Sequence, residues 1–77
     1  MKIRKNFLEA LEQKVYIYEN KKEEFILIAV PDMEWSYSFT YEEDDIQSKL
    51  RKSLNERISE DKAESLSSRI MQWTREM

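Results

Sequence analysis

The chain has 77 residues, enough for one domain with a small core. Charged residues make up 38% and hydrophobic residues 40%, with a formal net charge of −3. That balance does not call for nucleic acid or a membrane surface as a partner. Cysteine, histidine and glycine are all absent. Disulfides, thiolate chemistry and glycine-rich phosphate loops are therefore excluded, and every turn must be made by Asn, Asp, Pro or a longer loop. The longest apolar run is too short for a spanning helix or a signal-peptide core, so a cytoplasmic protein is expected.

The first fourteen residues carry Ile3, Phe7 and Leu11 at a spacing of four, continued by Val15. Asn6 and Glu9 have the spacing of a capping box. The pattern predicts a short helix over about 7–13, with an edge strand over 2–5 as the alternative. Residues 15–19, VYIYE, have strand composition, and residues 20–23 form the next turn around Asn20.

Residues 25–41, FILIAVPDMEWSYSFTY, are the centre of the chain. Residues 25–30 form a continuous apolar run suited to a strand covered on both faces. Residues 33–41 alternate strictly: Met33, Trp35, Tyr37, Phe39 and Tyr41 are interleaved with Glu34, Ser36, Ser38 and Thr40. Pro31-Asp32 between them predicts a tight turn. A two-residue loop sets Val30 opposite Met33, Ile28 opposite Trp35 and Ile26 opposite Tyr37. An odd-numbered loop would set Ile28 against a serine, so the apolar pattern requires an even one. Ile17, Ile26, Ile28, Trp35 and Tyr37 then share an inner face, while Tyr16, Tyr18, Phe25 and Leu27 share an outer face with Ser36 and Ser38.

VYIYEN at 15–20, the hydrophobic strand after it, the proline turn and WSYSF at 35–39 together resemble the YueH-like family of small bacterial proteins. The resemblance covers most of the chain. It carries no catalytic or binding residue over to this sequence.

Thr40 with Glu43, inside the run Glu42-Glu43-Asp44-Asp45, predicts a capping box and an acidic first helical turn. Four adjacent carboxylates on a helix diverge, and no glycine-turned calcium loop surrounds them, so no metal site is expected. Ile46, Leu50, Leu54 and Ile58 recur every four residues. Ala63, Leu66, Ile70, Trp73 and Met77 continue on a stripe roughly 160° away. A break at residues 59–61 with a new cap from Asp61 and Glu64 reconciles the two, giving helices over about 42–58 and 62–76. The alternative is one continuous helix with two buried faces.

The expected fold is α+β in a single domain: a three-stranded antiparallel meander with two C-terminal helices packed on its inner face and a short N-terminal helix. The expected function is protein binding without catalysis or cofactor, with self-association as a homodimer. Without His or Cys, no set of carboxylates, Lys, Tyr or Ser stands at a spacing that identifies a mechanism. The candidate interface residues are Tyr16, Tyr18, Phe25 and Leu27 on the outer sheet face and Leu66, Ile70 and Trp73 on the last helix, because one small core does not readily absorb all of them. The alternative function is nucleic-acid binding, through the aromatic strand 35–39 or through Lys49, Arg51, Lys52 and Arg57. Residues 23–45, which include that strand, contain eight acidic and no basic residues, and this opposes it.

Overall fold

The computed structural model describes residues 1–8 and 10–76. The chain divides into two compact units, Met1–Asp44 and Asp45–Met77.

The first unit is a four-stranded antiparallel sheet in the order β1-β2-β3-β4, with β1 at Lys2–Leu8, β2 at Leu11–Asn20, β3 at Phe25–Val30 and β4 at Trp35–Thr40. Each strand pairs with its neighbour in sequence, so β1 and β4 are the edges. The helix expected over 7–13 does not form, and the sheet has four strands rather than three. A spacing of four between apolar residues fits a helix stripe, but four is also a multiple of the strand period of two. Leu8 lies opposite Leu11 and Asn6 opposite Gln13. The hairpin reverses through Ala10, which adopts φ 70° in the absence of any glycine.

The central hairpin keeps the expected parity and changes the register by two. Val30 pairs with Trp35, Ile28 with Tyr37 and Ile26 with Phe39. Pro31–Met33 form a turn of 3₁₀ helix, closed by the Glu34 N–H donating to the Pro31 carbonyl at 2.9 Å, with Glu34 at φ 49°. The loop is thus four residues long instead of two. Proline supplies the φ that a 3₁₀ turn needs, and Glu34 makes the left-handed step back into the strand. The β2–β3 connection is also even: Asn20 pairs with Phe25 and Ile17 with Ile28. Even loops keep Val15, Ile17, Ile28, Val30, Trp35 and Phe39 on one face, and all six are buried.

The second unit contains α1 at Ile46–Leu54 and α2 at Glu60–Arg75, which pack against each other. Ile46, Leu50 and Leu54 form the buried stripe of α1, and Ala63, Leu66 and Ile70 that of α2. The helices are two, as the phase shift requires, and both starts differ from expectation. Asp45 at φ 57° interrupts the chain before α1, which leaves Glu42, Glu43 and Asp44 outside the helix. Thr40 and Glu43 do pair: the Thr40 N–H donates to a Glu43 carboxylate oxygen and the Glu43 N–H to the Thr40 carbonyl, both at 3.3 Å. They close a turn after β4 instead of capping a helix. Residues 55–59 separate the helices, and Ser59, not Asp61, occupies the position before α2.

Candidate interface

Antiparallel pairing brings the outer-face residues together from three strands. Ile3 stands opposite Tyr16, Tyr18 opposite Leu27, and Phe25 opposite Asn20. The Tyr18 and Phe25 rings meet edge to face with centroids 6.0 Å apart. On β4 the same face carries Ser36 and Ser38, opposite Ala29 and Leu27. Tyr16, Phe25 and Leu27 are half-buried, and Tyr18 is 39% exposed. Ile3 is 52% and Phe7 62% exposed on the same face.

Ile3 and Phe7 therefore belong to the candidate surface; sequence reasoning placed Phe7 at the start of a helix and Ile3 ahead of it, and assigned neither to this face. Their alternation with Lys2, Arg4 and Asn6 is the signal that could have found them. A polar pair divides the face between Ile3 and Tyr16 on one side and Phe7, opposite Glu12 near the tip, on the other. Lys5 lies opposite Lys14, and Lys5 reaches Glu12 at 3.7 Å. A shallow hollow of about 290 Å³ sits where β3 ends beside β2, lined by Glu12, Lys14, Tyr16, Pro31 and Asp32.

The candidates on the last helix are placed differently. Leu66 and Ile70 are 2% and 0% exposed, so neither forms part of an open surface, and Trp73 is half-buried. In the aromatic strand, Trp35 and Phe39 are buried and Tyr37 half-buried, with the Trp35 and Tyr37 rings stacked at 6.5 Å. Rings so covered pack a core more readily than they stack on bases.

The acidic residues gather at the end of the sheet where β2 and β4 finish. The Tyr41 hydroxyl donates to a Glu19 carboxylate oxygen, and the Tyr41 N–H donates to the Glu24 carbonyl at 3.1 Å. That hydrogen bond to Glu19, with desolvation and the charges of Glu19 and Glu24, pushes the Tyr41 phenol up to about 12. Asn20 binds Glu23 twice: its Nδ2 donates to the carboxylate, and its Oδ1 accepts from the Glu23 N–H. A hollow of about 240 Å³ nearby is lined by Glu23, Glu24, Thr40, Tyr41 and Glu42. Among the described residues, no group of three or more carboxylates is arranged to hold a metal ion. No helix among them is long and apolar enough to cross a membrane.

All four strands and both helices fall within the stretch that matches a known family model, that of YueH-like protein, over residues 2–76. The chain belongs to the YueH-like family. A relative in Bacillus subtilis (strain 168), Uncharacterized protein YueH, is 40% identical over an alignment 82 positions long that covers the whole of both chains. No solved structure matches the chain.

Proposed function

We propose that the protein is a small non-catalytic module that works by binding another protein and that associates with itself. The observation that carries this reading is the apolar cluster on the solvent side of the sheet. Ile3 and Tyr18 are well exposed there, beside half-buried Tyr16, Phe25 and Leu27, and Phe7 lies on the same face beyond Lys5 and Lys14. Contiguous apolar surface of this kind, rimmed by Lys5, Glu12 and Lys14, is characteristic of contact sites, and tyrosine is enriched in them. Area favours it too. A chain of this length buries only about 60% of its unfolded surface, so covering the remaining apolar groups with a partner is a large relative gain. The non-catalytic part of the reading rests on the absence of histidine and cysteine.

The test begins with capture on the immobilised full chain from native cells. The captured protein is then purified and titrated against the native chain, Ile3→Glu and Tyr18→Glu. Loss of binding in both variants, with unchanged circular dichroism, supports the outer face. Undiminished binding by both refutes it.

A further inference from the structure

We propose that two copies of this chain join edge to edge along β4, about a two-fold axis at Tyr37, to form one continuous eight-stranded sheet. The inference rests on the proposed self-association and names its surface.

The free edge of β4 is defined by three hydrogen bonds. The Tyr41 N–H donates to the Glu24 carbonyl, in register with the β3–β4 ladder. Antiparallel strands alternate which residues turn their N–H and C=O toward a given neighbour. Trp35, Tyr37 and Phe39 therefore face β3 with their backbone groups, and Ser36, Ser38 and Thr40 face the edge. Thr40 agrees independently, because Glu43 takes both its N–H and its carbonyl. At the other end Glu34 is left-handed and bonded into the 3₁₀ turn. The open edge is thereby limited to the backbone of Ser36 and Ser38.

The sequence of this edge is self-complementary. Around Tyr37 it reads aromatic, serine, tyrosine, serine, aromatic in both directions. In an antiparallel pair centred on Tyr37, Ser36 of each copy lies opposite Ser38 of the other. Both serines offer outward backbone groups, so the two pairs form four hydrogen bonds. The two Tyr37 residues meet as the intervening non-bonded pair, and Trp35 of each copy lies opposite Phe39 of the other on the same face. Aromatic cross-strand pairs of this kind are among the favourable ones. Shifting the register by one step would require Glu34 or Thr40, both already engaged. No charged side chain lies between Trp35 and Thr40.

The opposite edge is built the other way. β1 carries Lys2, Arg4 and Lys5 with no acid, and two such strands about their midpoint would set Lys5 against Lys5. Charged edges of this type resist pairing. With the two-fold perpendicular to the sheet, the outer faces of both copies lie on the same side and become one surface.

Sedimentation of the full chain at micromolar concentration tests this. The expected species has twice the 9.4 kDa of one chain. Ser38→Pro removes an edge-facing N–H and leaves the β3 ladder intact. The double variant Ser36→Lys with Ser38→Lys places like charges opposite one another, and does so without proline. Both are expected to be folded monomers, while Tyr18→Glu stays dimeric. In this cysteine-free chain, Tyr37→Cys is expected to form a disulfide dimer on air oxidation, since non-bonded pairs lie about 4.5 Å apart at Cα. Dimers that survive both edge changes but dissociate in Tyr18→Glu overturn the β4 assignment and leave self-association standing. A native chain that sediments at 9.4 kDa overturns both.

Discussion

The β1–β2 and β3–β4 hairpins put their apolar residues to opposite uses. In β3–β4, Ile28, Val30, Trp35 and Phe39 turn to the buried face, and the outer face of β4 is serine. In β1–β2, the buried face near the tip carries the polar pair Asn6 and Gln13, while Ile3, Phe7 and Leu11 are exposed. The two meet in β2, where Tyr16 and Ile17 pair with β1 on one side and β3 on the other. The core is thus set by apolar side chains on the buried parity, and strand pairing continues beyond it with the Lys5–Glu12 contact across the ladder in place of apolar packing.

The largest effect expected from this contrast is in stability. Ile28→Ala empties a fully buried site at the centre of the sheet and should cost about 2–5 kcal/mol in urea unfolding. Phe7→Ala should change stability by no more than about 0.5 kcal/mol. Comparable losses from the two would break the comparison, since Phe7 would then be part of the core. The polar pair sharpens it. Gln13 Oε1 is buried and has no hydrogen-bond partner among the described residues. A buried acceptor left unmade costs about 1–3 kcal/mol, so Gln13→Leu should stabilise by about 1 kcal/mol, read as a higher melting temperature. A drop would mean that Gln13 is held by bonds leucine cannot replace.

Much of the central hairpin was legible because strict alternation over residues 33–41 has only one periodic reading. Parity was recovered for every strand from residue 15 onward, since a slip by one would have turned Ile17 and Ile28 to solvent. The register of the central hairpin was not, because loops of two and four residues satisfy the same parity. Choosing between them depends on the 3₁₀ preference of Pro-Asp-Met and on Glu34 accepting φ 49°. The N-terminal strand was legible only as the alternative, an edge strand over 2–5, because apolar spacing of four serves both periods. The same ambiguity hid Ile3 and Phe7 from the candidate surface. Tyr16, Tyr18, Phe25 and Leu27 lie on the outer face as their parity predicts. Leu66 and Ile70 were expected at a surface on grounds of area, and they are buried.

Two smaller effects probe the turns that frame each hairpin. Ala10→Gly relieves a left-handed alanine in the β1–β2 connection and should stabilise by roughly 0.5–1 kcal/mol, read as a higher urea midpoint. No gain would show that the connection relaxes elsewhere. At the other end, Tyr41 titrates above the ordinary tyrosine value because its proton is shared with Glu19. A group whose pKa is raised on folding stabilises the fold below its unfolded value and loses that contribution as pH rises through the folded one. The stabilising share of Tyr41 is therefore complete below about pH 10 and lost toward about pH 12. Absorbance titration of tyrosinate should show a late phase from Tyr41, and Glu19→Gln should lower its pKa toward the ordinary tyrosine value. If Glu19→Gln leaves the late phenol unchanged, its cause lies elsewhere.

The strand order β1-β2-β3-β4 has a kinetic consequence. Every ladder joins strands consecutive in the chain, across loops of no more than four residues. Closing such loops sacrifices little chain entropy before the first contacts form, and each new strand finds a template already in place. The sheet is built to assemble from one end to the other without waiting for distant segments to meet. Its folding rate should be set by hairpin formation, on the scale of microseconds per turn, rather than by a search for long-range partners. During synthesis β1 and β2 can pair as soon as both have emerged, well before the helices of the second unit exist.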